Sequence, residues 1–395
     1  MAKLSRSAGF GSGSIIGGRV TLALHPGALG ALSAGRGVVL VSGTNGKTTT
    51  SHMLAAALGA GERVAHNASG SNMADGAVAA LAEDRDARLA VLEVDELHLP
   101  SVAARCRPRA LVLLNLSRDQ LDRAAEVRST AAAISAAVAA LPATSIFANA
   151  DDPMSVWAVQ EAGMPVVWIA AGSSWRDDCP TCPQCGALLP LDNRRWSCTC
   201  GLTQPEPAWW CDGSRAHGPG VETELQVRLP GSVNLHNALV ALAVAATTGA
   251  DLQRARDAIG RVDQVAGRYS TVRHHGRDAR LLLAKNPAGW AAALEMIDPS
   301  RPLLVVINAR EADGRDTSWL WDVDFGCLAG RTVIASGERA ADLGTRLSYA
   351  DVAHRTVPDP LTALDHLPVG EVDVIANYSA FHSIRRELVE SEPPG

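Results

Sequence analysis

Residues Gly43, Thr44, Asn45, Gly46, Lys47, Thr48 and Thr49 combine the parts needed to hold a phosphate chain. Glycines let backbone N–H groups turn inward around phosphate oxygens, and a helix beginning at the loop adds positive potential there. Lys47 would neutralise the β- and γ-phosphates of ATP, and the Thr48 hydroxyl would ligate Mg²⁺. The generic phosphate-loop pattern places a glycine where this chain has Val41, so the loop is a variant. Taken alone it is also consistent with a Gly-rich turn beside a stray lysine; the strand before it and the helix after it favour nucleotide binding. Glu93 closes a later apolar run within Leu92-Glu-Val-Asp-Glu96. It reads either as a Mg²⁺ ligand or as an ordinary strand-end carboxylate.

A second constellation is thiol-based. Five of the eight cysteines fall between Cys179 and Cys200, which points to metal in a reducing compartment rather than to a disulfide framework. Cys182 and Cys185 form one knuckle and Cys198 and Cys200 a shortened one, each followed by a glycine. Four thiolates suit tetrahedral Zn²⁺, and such a closed site is structural. Cys179 competes for a place in the first pair, and free or redox-active thiols are the alternative to zinc. Arg194 and Arg195 make a meagre basic patch, so the cysteine segment does not read as a nucleic-acid module.

A third constellation runs from Asn308 to Phe325. Four aspartates, Asp313, Asp316, Asp322 and Asp324, lie close together among tryptophans. Crowded carboxylates repel unless they are solvated or paired with cations or histidine. A solvated loop before a short tryptophan-anchored helix explains the composition equally well.

The elements that position these groups follow from hydrophobic patterning. The chain has 395 residues, 47% of them hydrophobic, enough for two domains with a small insertion. Apolar runs at 37–41, 89–94, 110–116, 145–149 and 166–170 alternate with helical patterns such as 48–59 and 125–141. Near-continuous apolar strands separated by helices predict an α/β fold whose parallel sheet is covered on both faces. Ligands then bind beyond the carboxyl ends of the strands. Residues 177–207, rich in Cys, Pro and Trp, read as the insertion. The pattern resumes at 223–229 and in a helix over 234–248. A second α/β unit follows, with strands at 279–284, 303–307, 332–335 and 372–375. The expected domains are 1–267 and 268–395. A formal charge of -6 excludes nucleic-acid binding driven by bulk charge. No apolar run approaches the ~18 residues of a membrane helix, and the N-terminus does not read as a secretory signal. The cytoplasm is the expected location.

Several blocks, taken in order, resemble the Mur ligases and their folylpolyglutamate synthase relatives. These are the loop at 43–50, the strand end at 92–96, Asn115 to Asp122, Asn149 to Asp152, Gly231 to Ala238, and Gly267-Arg268. The resemblance implies a Mur ligase-type ATPase domain in which Glu93 binds Mg²⁺. It also implies that Asn234 lies against adenine and that Arg268 enters the ATP site. Gln120 replaces the family's metal-side histidine, which puts a second metal in doubt. The phosphate loop comes by residue 43, so the substrate is expected not to be held through a UDP group.

The Asn308 block, with Leu283 to Trp290, Gly337 to Asp342 and Asn377 to Phe381, is similar to the C-terminal domain of the MurT family. That family provides the ligase-like subunits of lipid II isoglutaminyl synthase. It combines a Mur-type ATP domain, an inserted four-cysteine zinc ribbon and a smaller C-terminal α/β domain. The resemblance implies ATP, Mg²⁺ and Zn²⁺, and a GatD-type class I glutamine amidotransferase as partner. It implies lipid II as substrate, reached peripherally at the inner face of the membrane, and no nucleic acid. An aspartate of the block would complete the partner's Cys–His pair; Asp316 is expected, with Asp313 the alternative. Lys285 would join Arg268 in neutralising charge as phosphate passes to the α-carboxyl of D-glutamate. Two rival readings are a stand-alone amino-acid ligase of the folylpolyglutamate synthase kind and a zinc-stabilised nucleotide-binding scaffold.

Overall fold

The structure is a computed structural model that describes residues 14–117, 127–170, 172, 180–190, 195–265 and 267–390. Gln120, Asp122, Cys179 and Arg194 lie outside the described residues. The chain divides into two compact units, the first ending at Asp263 and the second running from Gln264 to the C-terminus.

In the first unit, helices α1 (Ser14–Leu24) and α2 (Ala28–Ser33) precede strand β1 (Gly37–Ser42) and helix α3 (Lys47–Gly59). Then come β2 (Val64–His66), α4 (Ala74–Glu83), β3 (Leu89–Glu93), α5 (Leu99–Cys106) and β4 (Ala110–Leu113). They are followed by α6 (Val127–Ala139), β5 (Ser145–Asn149), α7 (Pro153–Gln160) and β6 (Val166–Ala170). After the cysteine segment come β7 (Trp209–Asp212), β8 (Arg215–Gly218) and β9 (Val221–Glu224), then α8 (Ser232–Thr248) and α9 (Leu252–Gly260). The strands form one nine-stranded sheet in the order β2-β3-β1-β4-β5-β6-β7-β8-β9. Pairings from β2 to β7 are parallel, while β7-β8 and β8-β9 are antiparallel.

The apolar runs become the central strands because their side chains are buried on both faces. Val38, Val39, Leu40 and Val41 are each at most 1% exposed. The run expected at 223–229 is shorter in the fold: strand β9 spans Val221–Glu224 and alternates exposed and half-buried residues. The β7–β8 hairpin went unread because its residues are mixed in polarity, as in Arg215–Gly218.

The second unit contains β10 (Tyr269–His274), β11 (Arg277–Leu283), α10 (Pro287–Met296), β12 (Leu303–Val306) and β13 (Val333–Ser336). It continues through α11 (Ala340–Tyr349), β14 (His354–Thr356), α12 (Pro360–Asp365), β15 (Gly370–Ala376) and α13 (Tyr378–Glu390). Its six-stranded sheet runs β10-β11-β15-β12-β13-β14, parallel except for the β10-β11 hairpin. One face packs around Trp290, Trp319 and Phe325, and the other around Phe381, Ile384 and Leu388. No helix among the described residues is long and apolar enough to cross a membrane.

Candidate active site

The carboxyl ends of β3, β1 and β4 lie side by side in the sheet and lead into Glu93, the Gly43 loop and Asn115. The loop after β1 is fixed by Asn115, which follows β4. The Asn115 side chain accepts from the Asn45 amide at 2.9 Å and donates to the Asn45 carbonyl at 2.9 Å. Thr44 N donates to the Asn115 carbonyl at 2.9 Å, and Ser117 N donates to Thr44 Oγ1 at 3.0 Å. Gly46 caps α3 at φ 84, and a Cβ there would stand 2.8 Å from Asn237 Oδ1. Positive φ and that close approach together require glycine. No side chain caps the helix at Gly46, and the N-terminus of a helix is where backbone amides and the helix dipole favour an anion.

Asn237, on α8, also accepts from Thr50 Oγ1 at 3.1 Å and donates to Asn234 Oδ1 at 3.1 Å. The Gly231-to-Ala238 segment therefore braces the phosphate loop. Asn234 itself is buried, with its amide donating to the Pro230 carbonyl at 2.6 Å.

Lys47 and Thr48 are both buried, at 5% and 3% exposure. The Lys47 ammonium donates to the Gly43 carbonyl, to the Thr44 carbonyl at 3.1 Å and to Glu96 Oε2 at 3.1 Å. Glu96 Oε1 accepts from Thr44 Oγ1 at 3.2 Å. Burial pushes the Glu96 carboxyl up, but the Lys47 charge and the hydrogen bonds to it prevail and hold it below its usual range. Sequence reasoning quoted Glu96 only as part of a strand-end block; nothing in the residue order ties it to Lys47, which lies 49 positions earlier.

Glu93 sits differently. It is fully buried, and neither carboxylate oxygen has a hydrogen-bond partner among the described residues. Its backbone is clamped by Asn67, which accepts from Glu93 N at 2.8 Å and donates to Glu93 O at 2.9 Å. The carboxylate shares a small space with Thr48. A Cβ on Gly70 would lie 3.8 Å from Thr48 Oγ1 and 3.9 Å from Glu93 Oε2. A buried carboxylate without donors is costly unless a cation neutralises it. A hydroxyl and a carboxylate are the oxygen donors that Mg²⁺ takes from protein, so these residues fit that ion. Next along the sheet, Asp152 caps α7 and accepts from Leu116 N at 2.9 Å and Ser155 N at 3.0 Å. It is structural, and burial pushes its carboxyl up to about 6.

The cysteine segment folds as two knuckles. Cys182 N donates to the Ala187 carbonyl at 2.7 Å, and Cys198 N donates to the Leu202 carbonyl at 2.8 Å. The turns bring Cys182, Cys185, Cys198 and Cys200 together, with all four sulfurs within 4.8 Å of one another. Sγ pairs 182–200 and 185–198 lie 3.6 and 3.4 Å apart. Tetrahedral Zn²⁺ with ~2.3 Å bonds spaces its sulfurs about 3.8 Å apart, so the cluster fits zinc. The Cys200 amide pulls the Cys198 thiol down to about 7. The knuckles dock on the sheet through Trp196, whose Nε1 donates to the Ala150 carbonyl at 3.1 Å, and through Gln204, which donates to Asp151 at 2.8 Å. Val156 and Trp168 supply apolar contact beneath them.

In the second unit, Asn308 and Asn377 tie the ends of β12 and β15 together. Asn308 N donates to Asn377 Oδ1 at 3.0 Å, and Asn377 Nδ2 donates to the Asn308 carbonyl at 2.6 Å. The aspartate loop leaves from that tie. Asp313 is buried and accepts from Arg310 N at 3.1 Å, Ser379 N at 2.7 Å and the Ser379 hydroxyl. It fastens the loop to the start of α13. Asp316 is exposed and accepts from Ser318 N at 2.8 Å and Ser318 Oγ at 2.9 Å. Those bonds hold its carboxyl below the usual range. Lys285, half-buried, lies 5.5 Å from the Tyr378 ring centroid. Burial lowers the His382 pKa, and the charges of Arg385, Arg268 and Lys285 lower it further, so Arg268 and Lys285 share one neighbourhood. Arg310, Tyr378, Ser379, His382, Arg385 and Arg386 line a cationic cavity of about 560 Å³ there.

A family model described as Mur ligase middle domain matches residues 41–177, and one described as MurT ligase C-terminal matches residues 283–381. The lipid II isoglutaminyl synthase (glutamine-hydrolyzing) subunit MurT of Staphylococcus aureus strain COL is 31% identical over 80% of this chain and 78% of that protein. The subunit of the same name from Streptococcus pneumoniae strain ATCC BAA-255 / R6 is 27% identical over 97% of this chain and 94% of that one. Among solved structures, the type C pseudomurein peptide ligase of Methanothermus fervidus superposes with a TM-score of 0.68 at 19% identity, covering 90% of this chain and 78% of that chain.

Proposed function

Because this chain belongs to the MurT family, and is on that ground an ATP-dependent ligase of Mur type, we propose that it amidates the α-carboxyl of D-glutamate in the lipid II stem peptide. The product is D-isoglutamine, formed through an acyl phosphate with ammonia from a GatD-type class I glutaminase. The observation that carries the ligase half of this reading is the buried, unpartnered Glu93 carboxylate beside Thr48 and the uncapped start of α3. The protein acts at the cytoplasmic face of the membrane, where its lipid-linked substrate is accessible.

In this reading, amides of Gly43 to Thr49 cradle the phosphates and Asn234 bounds the adenine. Lys47 turns from Glu96 toward the terminal phosphates. Thr48 and Glu93 hold Mg²⁺, which supplies charge neutralisation for phosphoryl transfer. Lys285 and Arg268 neutralise the phosphoryl group in transit. The carboxylate oxygen attacks the γ-phosphorus and ADP leaves; ammonia then attacks the acyl carbon and phosphate departs. The phosphate leaving group is why ATP is required, since a free carboxylate does not expel oxide. Cys182, Cys185, Cys198 and Cys200 hold Zn²⁺ as a structural ion, which lets the knuckles dock on Ala150 and Asp151 at the end of β5.

Glutamine hydrolysis belongs to the partner. Of the two candidate aspartates, Asp313 is engaged by Ser379 and Arg310, whereas Asp316 is exposed and retains lone pairs for an incoming imidazole. Asp316 would hold the partner's histidine in the productive tautomer and stabilise its charged form. The test is co-expression with a glutamine amidotransferase and an assay for ATP-dependent amidation of lipid II. Asp316→Asn should abolish glutamine-dependent amidation while the complex assembles and free ammonia still supports product. Intact glutamine hydrolysis in that variant refutes the Asp316 role. Amidation with an amino acid in place of ammonia, without any partner, refutes the reading as a whole.

A further inference from the structure

The β10–β11 hairpin carries two consecutive histidines, and its turn places them on one carboxylate. Consecutive residues of a strand point to opposite faces. Here His274 ends β10 opposite Arg277, and the two-residue turn takes φ 43 at His275 and φ 78 at Gly276. That is the primed geometry natural to a tight hairpin. A Cβ at Gly276 would stand 2.6 Å from Val369 Cγ1, so the turn is packed against the chain after α12. The consequence is that the His275 ring folds back over His274, with centroids 4.1 Å apart and planes at 29°.

Asp365, at the end of α12, faces both rings. Its Oδ1 lies 3.2 Å from His274 Nε2 and 3.0 Å from His275 Nδ1. The His275 contact is a hydrogen bond. The His274 contact is not: its buried Nε2 has the distance but no hydrogen-bond partner of proper geometry among the described residues. His274 is 11% exposed and His275 71%, so the cluster opens to solvent on one side.

We propose that His274 Nε2, His275 Nδ1 and Asp365 Oδ1 form a further divalent-cation site, different in donor chemistry from the cysteine cluster and from the Thr48–Glu93 pair, and suited to Zn²⁺ or another borderline ion.

The three ligand atoms lie within 4.8 Å of one another. An ion with ~2.0–2.1 Å bonds to imidazole and carboxylate in tetrahedral geometry spaces its ligand atoms about 3.3 Å apart. The two measured nitrogen–oxygen separations are close to that value. Two imidazoles and one carboxylate select zinc-like ions over Mg²⁺ or Ca²⁺, which prefer all-oxygen shells. Three protein ligands leave a fourth position to water on the open side.

Arg277 both supports and limits the site. Its guanidinium donates to the carbonyls of Leu367 and Asp365 at 2.7 and 2.8 Å, which fixes the carboxylate-bearing segment against the hairpin. Its charge also lies 3.5 Å from Asp365 Oδ1 and opposes a cation there. The site should therefore bind more weakly and exchange faster than four thiolates. Its occupancy would cross-link the hairpin to the end of α12 and stiffen that edge of the second unit.

The test uses the full chain. Protein is dialysed to equilibrium against a fixed micromolar concentration of free Zn²⁺, and the metal it holds above the dialysate is counted by atomic emission; a parallel sample takes Co²⁺ for absorption spectroscopy. Wild type should hold one equivalent more than His275→Asn, a surface substitution that tolerates positive φ. The same equivalent should be missing in Asp365→Asn. The Co²⁺ difference spectrum should show weak ligand-field bands without thiolate charge transfer. Because the readout is the difference between wild type and variant, it does not depend on whether the cysteine cluster is loaded. Equal metal content in wild type and both variants, or a difference spectrum with thiolate bands, overturns the proposal.

Discussion

Replacing Glu96 with glutamine should weaken the empty protein and tighten its grip on nucleotide. In the structure the Lys47 ammonium is buried and contacts the Glu96 carboxylate at 3.1 Å. With an effective dielectric of about 20, that separation corresponds to a Coulomb term of about 5 kcal/mol. Breaking a buried pair by removing one partner costs about 3–5 kcal/mol, because the remaining charge stays buried. Glutamine retains an oxygen acceptor for Lys47 or Thr44, so about 2–3 kcal/mol is the expected loss. For a unit of this size that lowers Tm by roughly 4–12 °C. Phosphates bound at the loop would replace the missing carboxylate and would no longer be repelled by it. Relief of about 2 kcal/mol tightens the MgATP Kd roughly 30-fold. The assay is thermal or urea unfolding with and without MgATP, joined to calorimetric titration. A Glu96→Gln protein that melts with wild type and binds MgATP no more tightly would refute the reasoning about Lys47.

Three further outcomes follow from neighbouring features. Glu93→Gln removes a buried charge without hydrogen-bond partners among the described residues, and should raise the stability of the empty protein by about 1–3 kcal/mol. The same change should lower Mg²⁺-dependent turnover by at least ~100-fold; a destabilised or fully active variant contradicts this. Removing zinc with a chelator, or replacing Cys185 and Cys198 with serine, should expose Trp196, now 2% exposed, and red-shift tryptophan emission. Unchanged emission after metal loss would contradict the docking role. Stability should fall as pH drops below about 6.5, because burial, and then the charge of His52, lower His66 to about 3, while burial also lowers His236. Both rings fold neutral, so each contributes stability present above its unfolded pKa and lost on acidification, by up to ~1.4 kcal/mol per pH unit. Asp152, raised to about 6 by burial, works in the opposite sense below that pH and offsets one histidine. Urea unfolding at pH 7.5 and 5 checks the net sign, and equal stability at the two would contradict it.

Much of the fold was legible because its strands are short, continuous apolar runs. Strands β5 and β6 take the bounds expected from sequence, 145–149 and 166–170. Helix α3 begins at Lys47, one residue before its expected start. The amphipathic edges were not legible. Strand β10 reads Tyr269-Ser-Thr-Val-Arg-His274, and β8 has one buried residue, Ala216, so neither shows the apolar continuity that marked the interior. The proximity of the four cysteines was legible because short spacings on turns bring side chains together, and Gly186 and Gly201 mark those turns. The partners of the phosphate loop were harder. Asn115, Asn237 and Glu96 are brought to it by parallel strands and a distant helix, and long-range proximity of that kind leaves no local pattern. The difference between Asp313 and Asp316 was likewise invisible in sequence. It depends on Ser379, which reaches Asp313 only after β12 and β15 pair.

The central claim is that the terminal phosphoryl group of ATP passes to an oxygen of the acid before nitrogen attacks. Lipid II carrying ¹⁸O in both α-carboxyl oxygens of D-glutamate tests this directly, with the chain and its glutaminase partner, glutamine and MgATP. The account requires one ¹⁸O in each phosphate released and one retained in the new amide. Unlabelled phosphate from a reaction that still forms D-isoglutamine would contradict it.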